Sequence, residues 1–126
     1  MADLIQNGIS SHHVHDDAIL LKFQRYRERL RVLGAEGKLD ELVAHYDTYA
    51  KSFGKFFEIT GYVGGMTMAE AVTKAQPNKD ANILDCGCGD GALGTRLQKM
   101  GYTNLSALDP SQAMIDECSK RTSIST

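Results

Sequence analysis

The sequence lacks several features that would direct it to a particular partner or compartment. Its 14 basic and 16 acidic residues leave a net charge of −2, which gives no overall field to hold nucleic acid or an anionic membrane surface. No apolar run approaches the ~20 residues that span a bilayer. Residues 1–10, with an acid at Asp3, do not resemble a signal peptide. We therefore expect neither a nucleic acid nor a membrane partner, and a cytoplasmic location.

Cysteine is also scarce, with three residues in the chain. Two of them, Cys86 and Cys88, lie one residue apart among glycines, a spacing that suits neither a disulfide framework nor a zinc site. A reducing compartment fits this usage.

A cluster of histidines precedes the first apolar stripe and comprises His12, His13 and His15. We favour an unstructured tail over a metal site for these residues, because the sequence nearby offers too few further metal ligands.

The chain is the size of one domain, at 126 residues and 42% hydrophobic composition. Residues 1–15 have little apolar periodicity and are predicted to form a mobile arm. Residues 16–77 have helical periodicity and are predicted to form a helical cap region. The first stripe runs from Ile19 to Leu33 and should end at Gly34. The basic residues between Lys22 and Arg31 are interpreted as a solvated face of this helix.

A second apolar stripe predicts helix from Leu39 to Phe57, with a break near Gly54. Thr67 to Glu70 then has the pattern of a capping box, in which a threonine hydroxyl and a glutamate satisfy free backbone donors of the first helical turn. This pattern predicts that a third helix starts there and reaches about Ala75.

After Pro77 the pattern changes to alternating strand and helix. The predicted order is a strand at Asn82–Asp85, a helix ending at Gly101, a strand at Leu105–Leu108, and a helix with Ser111 as its N-cap. A β–α–β–α order within so few residues predicts parallel strands joined by a helical crossover. Residues 78–126 are therefore predicted to form the α/β part of the chain.

Three glycines, Gly87, Gly89 and Gly91, fall between the first predicted strand and the helix that follows it. Glycine permits positive φ and lets backbone touch a ligand, and the helix N-terminus presents free N–H groups. A purely structural turn is the competing interpretation. The pattern also satisfies the dinucleotide fingerprint if Ala92 takes its last place.

The acids around this loop help to separate the ligand classes. Asp85 and Asp90 would repel a pyrophosphate but would tolerate a positively charged ligand. Asp109 ends the next strand, 22 positions after Gly87, where a carboxylate can accept hydrogen bonds from ribose hydroxyls. That contact indicates a nucleoside without choosing between the two classes.

The stretch from Ile83 to Lys120 resembles motif I and the strand-2 acid of class I S-adenosylmethionine-dependent methyltransferases. Tyr46-Asp47-Thr48-Tyr49-Ala50 resembles the Tyr-Asp-x-x-Ala signature upstream of that motif. The combination is similar to the methyltransferase-like proteins named for the Williams–Beuren syndrome region. The resemblance implies N-terminal helices followed by the first βαβα half of a Rossmann-like sheet, and methyl transfer from S-adenosylmethionine to an unidentified acceptor.

The resemblance also implies roles for individual residues. Asp85 and the backbone of Gly87 would hold the methionine amino group, while Gly89 and Gly91 would allow close approach of the cofactor. Asp109 would bind the ribose. Pro110 and Met114 would lie near the adenine, and Tyr46 and Tyr49 would flank the cofactor. Packing in the core is an equally open interpretation for the two tyrosines, and it is the favoured one for Met114.

The resemblance implies a seven-stranded sheet for a complete member of this family. Only two of these strands can be identified in the sequence before Thr126. The resemblance therefore implies a C-terminally truncated chain with negligible methyl transfer of its own. Ile83 and Leu84 would then lie on an exposed apolar edge that could support self-association. Two alternatives stay open: a non-catalytic interaction module, and an NAD-type dinucleotide binder.

Overall fold

The computed structural model describes residues 11–126, with side chains from Asp17 onward. Helices dominate the first two thirds, and two short strands alternate with helices in the last third. The elements are α1 (Ser11–Glu36), α2 (Leu39–Tyr49), a 3₁₀ turn (Ala50–Ser52), α3 (Phe53–Thr60), α4 (Gly64–Ala75), β1 (Ile83–Cys86), α5 (Ala92–Lys99), β2 (Leu105–Leu108) and α6 (Gln112–Arg121).

The first helix is longer at both ends than its apolar stripe predicts. It begins at Ser11 and ends at Glu36, so residues 11–15 of the predicted arm are helical, and the mobility of the arm stays a prediction. The rest of the predicted arm, residues 1–10, and the side chains of the histidine cluster lie outside the described residues. Gly37, with φ +64°, follows the last helical residue, so it takes the C-terminal position predicted for Gly34.

The capping-box prediction is wrong. Helix α4 begins at Gly64, and Thr67 lies inside its first turn, where its hydroxyl donates to the carbonyl oxygen of Val63 at 3.2 Å. A threonine hydroxyl bonded four residues back along its own helix no longer satisfies a free N–H group. Helix propensity does not predict that α4 starts here, because the helix begins with glycine, a residue that usually ends helices.

The α/β part follows the predicted order closely. Strands β1 and β2 are parallel, with Ile83 opposite Leu105 and Cys86 opposite Leu108, and α5 forms the crossover between them. Ser111 caps α6 as predicted, because its hydroxyl oxygen accepts a hydrogen bond from the Met114 N–H at 3.2 Å. This small parallel sheet, whose strands alternate with helices along the chain, is compatible with part of a Rossmann-like fold.

One face of the sheet carries the core. Leu105 and Ala107 point into it, and two clusters of buried side chains continue it beneath α4, α5 and α6. The opposite face is open among the described residues, with Leu84 57% and Leu108 48% exposed. Ile83 was predicted to lie exposed beside Leu84, but it packs against the core instead, because side chains alternate between faces along a strand.

The end of the described chain returns to the sheet. Ser125 forms a parallel bridge with Ser106, and its backbone bonds to Leu105 and Ala107 on the side of β2 away from β1. Ile124 packs on Gly94 of α5, where any side chain would overlap it. Ile124 and Ser125 therefore take part in the fold.

Two further predictions concern the chain as a whole. Within residues 11–126, no helix combines the length and the apolar content needed to cross a bilayer. The division between a helical cap at residues 16–77 and an α/β domain at residues 78–126 stays a prediction, since α4 packs on α5 and α2 packs on α6 across that boundary.

Candidate functional site

A cavity of about 480 Å³ lies where the carboxyl ends of β1 and β2 meet helices α2, α3 and α4. Its volume is in the range of small-molecule sites, roughly 300–1,000 Å³. The carboxyl ends of parallel strands are where open α/β sheets bind their ligands. The described residues that line it are Tyr46, Phe53, Phe57, Tyr62, Gly64, Gly65, Met68, Asp85, Gly87, Cys88, Gly89, Asp90, Ala92, Leu93, Asp109, Pro110 and Met114.

The glycine loop between β1 and α5 forms the floor of this cavity. Gly87, Gly89 and Gly91 all have positive φ, at +78°, +54° and +88°, a conformation that strains other residues. The N–H groups of Gly87 and Cys88 donate to the carbonyl oxygen of Leu108 at 2.8 and 3.0 Å. These two bonds hold the loop against the end of β2.

Asp109 ties the two strand ends together. One carboxylate oxygen accepts a hydrogen bond from the Gly89 N–H at 2.9 Å, and the other accepts one from the Ser111 N–H at 2.9 Å. A carboxylate oxygen can accept two hydrogen bonds. Asp109 therefore fixes the loop and retains acceptor capacity toward the cavity.

Asp85 is the carboxylate with the fewest partners in the site. It is half-buried at the end of β1, and its side chain makes no hydrogen bond or ion pair with any described residue. Burial raises its pKa above the ordinary value for aspartate, and the negative charge of Asp109 raises it further. A carboxylate in this position is stabilised by any ligand that brings a positive charge or N–H donors.

Asp90 has a different role from the one predicted. Its side chain is 1% exposed, and its Oδ2 lies 3.0 Å from Nη1 of Arg121 in α6. Burial raises the pKa of Asp90, and the Arg121 charge opposes that rise. Gly54 allows the pair to form, since a Cβ there would lie within 3.0 Å of both side chains. Asp90 thus offers no free negative charge against a pyrophosphate, which leaves Asp85 as the carboxylate of this loop that would repel one.

The Tyr-Asp-x-x-Ala signature joins the helical part to the site. Asp47 Oδ1 accepts a hydrogen bond from the Ser111 hydroxyl at 2.5 Å and another from the Ala113 N–H at 3.3 Å. Ala50 is buried where the 3₁₀ turn packs on α6. Asp47 therefore acts as a cap from another helix, and it positions Tyr46 at the cavity. The sequence analysis did not predict this role of Asp47, although an acid directly after Tyr46 is the feature that indicates it.

Four aromatic rings line the cavity opposite the glycine loop, and we call them the aromatic wall: Tyr46, Phe53, Phe57 and Tyr62. Neighbouring ring centroids along the wall are 6.2, 4.7 and 4.7 Å apart. Phe53 reaches the loop, because a Cβ at Gly89 would lie 3.3 Å from Phe53 Cε1. The sequence reasoning left Phe53, Phe57 and Tyr62 out of the site. The two phenylalanines belong to an apolar stripe that indicates core packing equally well, and Tyr62 lies beyond that stripe.

Seven of the nine predicted cofactor residues line the cavity, and Gly91 and Tyr49 do not. Gly91 lies against α6, where a Cβ would meet Cys118 Sγ at 2.8 Å. Tyr49 packs among buried aromatic rings, with its centroid 5.3 Å from that of Tyr26 and 5.9 Å from that of Phe56. Both residues therefore serve packing in this structure.

Cys88 lines the cavity as a small apolar side chain. Burial, together with the neighbouring thiol of Cys118, raises its pKa to about 12. A thiol with so high a pKa is a poor nucleophile at neutral pH, in keeping with a packing role.

Comparison with known protein families gives one match, over residues 83–125, to the model described as a methyltransferase domain. The match covers about a third of the chain, from β1 through α6 to the bridge at Ser125. It supports a methyltransferase domain in this part of the molecule. No curated protein and no solved structure matches the chain.

Proposed function

We propose that the cavity binds S-adenosylmethionine and that the chain belongs to an enzyme that transfers its methyl group to an acceptor. The observation that carries the proposal is Asp85, a half-buried carboxylate without a donor partner among the described residues, at the floor of a cavity that opens from a glycine loop. The methyltransferase-domain match over the same residues supports it.

The residues of the cavity suit the parts of this cofactor. Asp85, with the Gly87 backbone, would pair with the methionine ammonium group. Asp109 would accept hydrogen bonds from the ribose hydroxyls through the acceptor capacity that its two backbone contacts leave. Pro110 and Met114 would contact the adenine, and Tyr46 would flank the cofactor from α2. Gly91 and Tyr49 are left out because their surroundings assign them to packing.

The reaction requires little acid or base catalysis from the protein. The bound cofactor supplies a methyl group on a positively charged sulfur, which is already a good leaving group. The cavity residues hold and align the reactants. Alignment of this kind lowers a barrier by up to roughly 7–11 kcal/mol in favourable cases.

A pyrophosphate-bearing dinucleotide suits the cavity less well. None of the described residues that line it is Lys, Arg or His, whereas Asp85 and Asp109 face it. Two negative phosphates beside Asp85 would repel its carboxylate in a partly desolvated site. This charge distribution favours a ligand whose charged groups near the loop are positive.

Calorimetric titration of the chain with S-adenosylhomocysteine, alongside NAD, tests the proposal. We expect binding of S-adenosylhomocysteine and none of NAD at the same concentrations. Asp85→Asn should weaken the first by at least about tenfold, since a buried charged contact is worth roughly 1.5–3 kcal/mol. Asp80→Asn is the matched control at an exposed turn and should leave the affinity unchanged. Preference for NAD, or equal effects of the two variants, would contradict the proposal.

A further inference from the structure

Part of the cavity has no role in the proposed cofactor contacts. Phe57 and Tyr62 form the far end of the aromatic wall, with ring centroids 4.7 Å apart, and Met68 of α4 lies beside them in the lining. The Tyr62 ring can lie over the start of α4 only because Gly64 has no side chain, since a Cβ there would overlap it. We call Phe57, Tyr62 and Met68 the outer subsite.

The outer subsite is open to solvent and apolar. Tyr62 and Met68 are 60% and 52% exposed, so a ligand can enter after the floor of the cavity is filled. Its three side chains contribute aromatic carbon, a thioether and the Tyr62 hydroxyl, which together suit a mainly apolar and preferably flat body.

The charge of the cavity restricts what that body can carry. Asp85 and Asp109 face the cavity, Asp90 is paired with Arg121, and the described lining contains no cationic side chain. Aromatic ring faces are themselves negative and attract cations. A carboxylate or phosphate in the outer subsite would find no counter-charge among these residues and would meet both carboxylates and ring faces.

On the basis of the proposed function, we propose that the outer subsite binds the methyl acceptor and that this acceptor is an uncharged nitrogen nucleophile on an apolar, ring-bearing body. In the transfer, the nitrogen lone pair forms a bond to the methyl carbon while the carbon–sulfur bond breaks and its electron pair stays on sulfur. The positive charge moves from sulfur to nitrogen. The reacting sulfur and nitrogen therefore carry one positive charge between them before and after the step, beside the same carboxylates and rings.

An oxyanion acceptor lacks this match. Its negative charge would have to enter a cavity that already holds Asp85 and Asp109, and the transfer would cancel the charge that these groups stabilise. The site stabilises the cationic product and the cationic transition state, whereas it destabilises a bound anionic reactant.

Three bicyclic probes of the same shape and different charge test the inference: N-methylisoquinolinium, isoquinoline and 2-naphthoate. Each is titrated calorimetrically into the chain saturated with S-adenosylhomocysteine. We expect affinity to fall in that order, with the cation at least about tenfold tighter than the anion. S-adenosylhomocysteine should stay bound throughout, which a labelled competitor shows.

Phe57→Leu should reduce the preference for the cation by at least about threefold, because it removes a ring face and keeps apolar bulk. Phe23→Leu is the matched control, since Phe23 packs on Phe56 outside the described lining and should leave the preference unchanged. The inference is overturned if 2-naphthoate binds as tightly as the cation, if no probe binds, if the two variants behave alike, or if the cation displaces S-adenosylhomocysteine. Absence of S-adenosylhomocysteine binding itself would instead contradict the proposed function.

Discussion

Asp85 affects both the stability of the unliganded chain and its affinity for the proposed ligand. Its carboxylate is half-buried near Asp109 without a donor among the described residues, and both influences raise its pKa. A group with these properties costs folding free energy when it is ionised. Such local costs are typical of binding sites, where the ligand supplies the missing partner.

This cost gives a pH-dependent prediction. Because the pKa of Asp85 is higher in the folded than in the unfolded chain, the fold is penalised at neutral pH, and the penalty disappears as pH falls below the ordinary aspartate value of about 3.9. We expect Asp85→Asn to raise the melting temperature of the unliganded chain at neutral pH and to lose that advantage at acidic pH. Thermal unfolding of both chains across pH checks this.

The same group should make cofactor affinity depend on pH. Protonation of Asp85 removes its attraction for an ammonium group, so S-adenosylhomocysteine affinity should fall as pH decreases toward the raised pKa of Asp85. A chain that carries Asn at this position should bind weakly at every pH. An unchanged melting temperature in the variant, or the same pH dependence of binding in both chains, would contradict this account of Asp85.

At this scale the sequence predicts residue types better than their partners. Asp85 and Asp109 were predicted to lie together because each lies at the end of a strand and parallel strand ends meet at one edge, and both line the cavity. Asp90 could not be placed, since its partner Arg121 is brought near only when α6 packs on the loop. Tyr46 and Tyr49 share one apolar stripe, and only the packing of α2 separates the cavity residue from the core residue.

Among the elements, the strands and the helices around them were predicted to within one or two residues. Each is bounded by local signals, such as the Ser111 cap and Gly101, which has φ +96°. The boundaries of α1 and the start of α4 were missed because both helices extend beyond their local sequence signals. Glycine at the start of α4 is explained at Gly64, where a Cβ would overlap the Tyr62 ring.

The contact between α2 and α6 gives a prediction for an element. Asp47 accepts hydrogen bonds from the Ser111 hydroxyl and from the Ala113 N–H, so Asp47→Ala removes a cap of α6 that comes from α2. We expect a loss of about 1 kcal/mol in the free energy of unfolding and weaker S-adenosylhomocysteine binding through displacement of Tyr46. Urea denaturation and calorimetry measure the two effects.

Asp47→Asn is the control for this contact, because its amide oxygen still accepts a hydrogen bond. It should retain most of the stability and most of the affinity. Equal losses in the Ala and Asn variants would show that the negative charge, rather than the capping geometry, is what α6 requires. No loss in either would contradict the structural role of the signature.

At the scale of the whole molecule, helices cover the sheet on one face only among the described residues. Parallel sheets are usually covered on both faces, and the open face carries Leu84 and Leu108. The predicted self-association concerns the exposed edge of the sheet rather than this face, and it stays a prediction. The site, by contrast, lies on the covered side, where the glycine loop, α2, α3 and α4 meet, and its assembly depends on packing that no single motif specifies.

The most direct test of the central claim is a map of backbone amide chemical shifts in the chain as S-adenosylhomocysteine is added. The claim is that this ligand occupies the cavity between the glycine loop and the aromatic wall. We expect the largest shifts at Gly87, Gly89 and Ser111, with smaller ones at Tyr46 and none along the first half of α1. Shifts confined to surfaces away from the cavity, or no shifts at saturating ligand in a folded chain, would contradict it.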